Sequence, residues 1–243
     1  MTSPQRTARL AGAMYLVLFV CGSFSIFVRA GMVVPGDAPA TAANILASEF
    51  LFRLQLVGEL IMSIAWLMVA FLLYILFRTT HRNMALLFLL LAAIGVATIC
   101  ANMVFQAGVL LVLDETGFAA GMDTTYLHAQ VGMFLALFSR GWTVSGIFTG
   151  LWLYPLGLIV VKSGYVPRIF GIGLIIGCFG YLIPAVTVFL IPQLVKFNLA
   201  IMSVSGIVEV SFGLWLLFKG ANPPTDLQPS AQGPARSNDE TSE

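Results

Sequence analysis

The sequence predicts an all-α polytopic membrane protein, a bundle of six transmembrane helices with both termini in the cytoplasm. Three observations predict it. Hydrophobic residues make up 59% of the 243-residue chain and charged residues only 9%, against roughly 25% charged in soluble domains. Six segments, at about 10–30, 51–77, 85–112, 135–161, 168–191 and 198–218, each reach the ~20 mostly apolar residues that a spanning helix needs. The basic residues of the connections fall on alternate sides of those segments. No barrel-type alternation of polar and apolar residues appears, so the spans are helical.

The first span follows Arg6 and Arg9. Its apolar run is too long for a cleaved signal peptide and no small-x-small site follows it, so it reads as an uncleaved signal anchor. LFVC, ending at Cys21, lacks the small residue that a lipoprotein site carries before its cysteine. Between spans 1 and 2, GDAPATAANILAS offers Asp37 as a helix cap and Pro39 in a first turn, so a short outer helix is expected near 38–49. A second outer loop is expected at 113–134. Pro155 and Pro184 are expected to kink spans 4 and 5, which membrane helices tolerate. The glycines Gly171, Gly173, Gly177 and Gly180 of span 5 point to close helix packing. Residues 1–220 form the membrane domain, and the Pro-, Ser- and acid-rich tail from 221 is expected to be disordered and cytoplasmic.

Orientation follows from the short loops. Arg6, Arg9, Arg78, Arg82, Lys162, Arg168, Lys219 and Arg236 fall on one side of a six-span chain. Arg29, Arg53, Arg140 and Lys196 fall on the other, with Asp37, Glu49, Asp114, Glu115 and Asp123. The basic side is the cytoplasmic one.

Four stretches taken together carry a resemblance: ARLAGAMYL, VPGDAPATAANILASEFLFRL, SGYVPRIFGIGLIIGCFGYL and EVSFGLWLLFKG. With them the chain resembles, from about Ala8 to Gly220, the bacterial integral-membrane family catalogued as domain of unknown function 4386. The resemblance implies a multi-pass protein of the bacterial plasma (inner) membrane. It brings no established activity and no catalytic residues.

Candidate functional residues come from polar groups inside hydrocarbon. Glu59 lies roughly 12 Å into span 2 and Glu209 roughly 16 Å into span 6, at 1.5 Å per residue. A charge at the bilayer centre costs about 2.5–3.5 kcal/mol on insertion scales, so each glutamate must face protein or water, find a partner or carry a proton. Gln55, Glu59, Ser63 and Trp66 share one helical stripe, Thr98, Asn102 and Gln106 another, and Ser205 and Glu209 are one turn apart. Arg140 opens span 4 near the outer edge. Two arrangements fit. One is an outward-opening cavity lined by Glu59, Asn102, Gln106, Arg140 and Glu209, with Gln55 on the same stripe. The other is an internal Arg–Glu and amide network that locks the helices. Arg29 and Arg53 read as snorkelling interface residues. RLAG at 9–12 and RIFG at 168–171 each open a hairpin whose second span carries a glutamate, which suggests a duplication.

Several chemistries are excluded or disfavoured. His81 and His128 are the two histidines and both lie in loops, so paired-histidine haem ligation within the spans has no residues. Cys21, Cys100 and Cys178 lie in apolar runs without metal spacing and read as buried small side chains. No HExxH or CxxC pattern occurs. TVSG at 143–146 lacks the first glycine of a rhomboid-type GxSG. Catalytic residues, cofactors and metals are therefore expected to be none. The net charge of +1 gives no footprint for nucleic acid. The partners expected are the lipid bilayer, a small amphiphilic molecule or lipid bound or moved by a non-enzymatic protein, and a second copy or another membrane protein. A structural or assembly role, and an intramembrane enzyme using paired carboxylates, are the competing readings.

Overall fold

A computed structural model describes residues 4–114, 116, 117 and 119–221. The expected disordered tail lies almost wholly outside the described residues. The described chain is helical, without strands: α1 Pro4–Met32, α2 Ala38–Ala47, α3 Glu49–Leu113, α4 Thr124–Leu151, α5 Leu153–Ser163, α6 Arg168–Leu190, a 3₁₀ turn Pro192–Phe197, and α7 Asn198–Phe218.

Among the described residues, five helical units are long and apolar enough to cross a membrane: Pro4–Met32, Glu49–Leu113, Thr124–Ser163, Arg168–Leu190 and Pro192–Phe218. The second is two rods. His81 leaves helical geometry (φ −148°, ψ 82°), and the arms 49–80 and 82–113 double back, so that Gln55 and Glu59 both meet Gln106. This brings the long apolar rods to six.

Local signals explain most boundaries. Asp37 accepts the Ala40 N–H at 2.9 Å and opens α2. Gly36 precedes it with φ 80°, a left-handed turn. α2 ends at Ala47. The second outer loop is shorter than expected, because Asp123 accepts the Tyr126 N–H at 3.0 Å and starts α4 at Thr124. Residues 124–134 are therefore helix rather than loop. α4 gives way to α5 at Trp152, three residues before Pro155, whose ring cannot follow a straight helix. Gly164, in left-handed geometry at φ 70°, closes α5.

α1 packs on both α3 and α7, and α6 on α4, α5 and α7. Small residues set the closest approaches. A Cβ on Gly12 would stand 2.8 Å from the Gly213 carbonyl oxygen of α7, and one on Gly157 2.6 Å from that of Gly171. The main core runs through Tyr15, Trp66, Leu73, Phe88, Trp152 and Phe212. A smaller one, with Ile45, Phe52, Val109 and Val131, lies under α2. Outside, Phe27, Ile64, Val104, Ile176 and Ile207 are each more than half exposed. An apolar surface of this extent suits hydrocarbon rather than water.

Candidate functional site

Four side chains close a ring between α1 and the two arms of α3. The Gln55 amide nitrogen donates to Gln106 Oε1 at 2.7 Å. The Gln106 amide nitrogen donates to Glu59 Oε2 at 2.6 Å. Arg29 Nη1 lies 3.7 Å from that same carboxylate oxygen and donates to Gln55 Oε1 at 3.5 Å. Gln55, Glu59 and Gln106 are fully or almost fully buried. The Ser25 hydroxyl donates to the Gln55 carbonyl at 2.8 Å, adding a second tie between α1 and α3. The helical stripes predict three members of the ring. Arg29, expected to snorkel at the lipid interface, is instead mostly buried in the bundle: its side chain is 16% exposed, and its guanidinium sits 4.6 Å from the Phe138 ring centroid. Its partners Glu59, Gln55 and Phe138 lie on other helices, so α1 alone gives no sign of them. Arg53 instead pairs with Glu49 at 2.6 Å on the surface.

Asn102 and Arg140 stand apart from the ring. The Asn102 amide donates to the Phe138 carbonyl at 2.9 Å and so ties the second arm of α3 to α4. Its oxygen abuts Gly141, where a side chain would collide with it. Arg140 is exposed and forms no hydrogen bond or ion pair among the described residues. It is not an orienting partner of either glutamate.

Glu209 occupies a second site. Its Oε1 accepts the Tyr181 hydroxyl at 2.8 Å, from α6 to α7. The two glutamates share no hydrogen-bonded partner among the described residues. Glu209 lies in the wall of a cavity of about 290 Å³ bounded by α1, α3, α4, α6 and α7. Phe19, Trp66, Trp142 and Tyr181 contribute rings to that wall, and Ser145, Thr149 and Asn198 add polar groups. Trp66 packs edge-on against Trp152 at 5.7 Å, which fixes its ring. Glu59, Gln55, Asn102, Gln106 and Arg140 do not line this cavity. The six residues read as one site therefore divide: three in the ring, one in a helix tie, one on the surface and one in the cavity. No hydropathy signal marks the cavity's aromatic wall, because Trp and Phe in an apolar span look alike whether they face lipid, core or void.

Residues 10–220 match the family model described as domain of unknown function (DUF4386). An uncharacterised protein of Archaeoglobus fulgidus is 28% identical over 185 residues, which cover 73% of this chain and 93% of that relative. No solved structure matches the chain.

Proposed function

From a chain that belongs to the DUF4386 family, which carries no assigned activity, we propose a multi-pass protein of the plasma membrane that binds or moves a small amphiphilic molecule or lipid through the cavity at Glu209. The cavity is the observation that carries this reading. Its volume of about 290 Å³ sits at the lower edge of small-molecule sites, and a mostly apolar wall with a few polar groups is their usual make-up. The Arg29–Glu59 ring takes the other role considered for the polar residues, that of holding α1 against α3.

The topology that goes with this reading has six spans with both termini cytoplasmic. Arg6, Arg9, Arg78, Arg82, Lys162, Arg168 and Lys219 then share the cytoplasmic end. The structure's own pairings support one common end for them. The Gln5 amide donates to the Lys219 carbonyl at 3.5 Å, and Phe77 packs edge-on to Tyr165 at 5.8 Å.

Gly146 gives a clean test. It lines the cavity, and no atom lies within 4 Å of where its Cβ would be. Gly146→Phe should fill the void without displacing a helix. Native mass spectrometry of protein released from nanodiscs should find a bound small molecule on wild type and none on folded Gly146→Phe. Equal retention by both, or a bare wild type, would overturn the proposal.

A further inference from the structure

We propose that the molecule this cavity accepts is a small lipophilic cation, an alkyl- or arylammonium, with Glu209 as its counter-ion. The inference rests on the cavity reading above and gives it a substrate class. The wall contains a single charged side chain, Glu209, and no Lys, Arg or His. Glu209 is 5% exposed and forms no ion pair among the described residues. Its one side-chain partner is the neutral hydroxyl of Tyr181. Glu59 makes the contrast. It is as deeply buried, and the chain supplies it with Arg29. A buried carboxylate with no countercharge is costly, and a bound cation removes that cost.

The rest of the wall suits such a ligand. Phe19, Trp66, Trp142 and Tyr181 present aromatic rings to the same void as the carboxylate. Ring faces attract ammonium groups, Trp most strongly, and desolvation increases the effect. Arg29 is the nearby cation to reckon with, since its guanidinium lies 5.8 Å from the Trp142 centroid. Its charge is already matched by Glu59, so the ring as a whole repels a second cation little. An anionic amphiphile, by contrast, would meet Glu209 with no basic group in the wall to offset it.

Three probes of one shape separate charge from fit: benzyltrimethylammonium, its neutral carbon isostere neopentylbenzene, and phenylmethanesulfonate. Thermal unfolding of the full chain in nanodiscs, with each probe titrated, reads binding as stabilisation. The ammonium should stabilise wild type at a concentration at least tenfold lower than the isostere, and the sulfonate should not stabilise it. Glu209→Gln should lose the tenfold preference. If Glu209→Gln does not fold, the preference of wild type for the ammonium over the isostere, and its loss from Gly146→Phe, carry the test. Equal stabilisation by ammonium and isostere would overturn the cation while leaving the cavity as a binding site. So would a response to the isostere or the sulfonate but not to the ammonium. Equal stabilisation of wild type and Gly146→Phe by the ammonium would put the probe outside the cavity and overturn both readings.

Discussion

The guanidinium of Arg29 stands 3.7 Å from the carboxylate of Glu59, in the interior of the helix bundle, with Gln55 and Gln106 completing the circuit between them. Two charges that would each be expensive in hydrocarbon are thus brought together by helices separated in sequence by a loop and the short helix α2. The pair makes α1 and α3 dependent on one another.

Removing one partner should therefore cost more than removing both. Arg29→Met alone leaves an unmatched carboxylate, and such losses run to about 3–5 kcal/mol. Glu59→Gln alone leaves an unmatched guanidinium. The double variant should be destabilised by less than either single variant. A double-mutant cycle on unfolding in detergent or nanodiscs measures this. Strict additivity would mean that the pair contributes no coupling.

Gly141 should tolerate no side chain while Asn102 faces it. Gly141→Ala should lose roughly 1–3 kcal/mol through overpacking. Adding Asn102→Ala should recover part of that loss, because the colliding oxygen goes, although the tie to the Phe138 carbonyl goes with it. Melting temperatures of the three variants decide the matter. A double variant less stable than both singles would contradict the steric account.

The approach of α1 to α7 should depend on Gly12. A Cβ there would lie 2.7 Å from the Leu217 Cα, which is backbone and cannot swing aside. Gly12→Val should sharply lower the yield of folded protein or its melting temperature. Gly31→Val is the control, since nothing lies within 4 Å of its Cβ position. Equal effects of the two substitutions would show that helix propensity, not contact, sets the cost.

Much of the fold was legible in the sequence, because in a membrane the period and length of apolar runs are decisive. The rods match the six apolar segments, and Asp37 and Pro39 announced α2. The difference at 113–134 has a plain physical cause. TTYLHAQ is too polar to register as a span, yet Asp123 caps it into α4. The candidate site was less legible. Helical stripes brought Gln55, Glu59 and Gln106 together, since residues on one face of one helix can be counted off. They could not say which helix each stripe faces. Nor do they predict that Arg29 completes the ring and that Arg140 is exposed. The depth of Glu59 and Glu209 is similar by residue count. Depth along a span says nothing of position around the bundle, and it is position around the bundle that gives the two glutamates different partners.

The most direct measurement compares wild type, Glu59→Gln and Glu209→Gln by native mass spectrometry after release from nanodiscs. A ligand cavity at Glu209 and a structural ring at Glu59 predict a bound small-molecule mass on wild type and on the folded fraction of Glu59→Gln, and its loss from Glu209→Gln. Retention of that mass by Glu209→Gln, or its loss from folded Glu59→Gln alone, would contradict this division of roles.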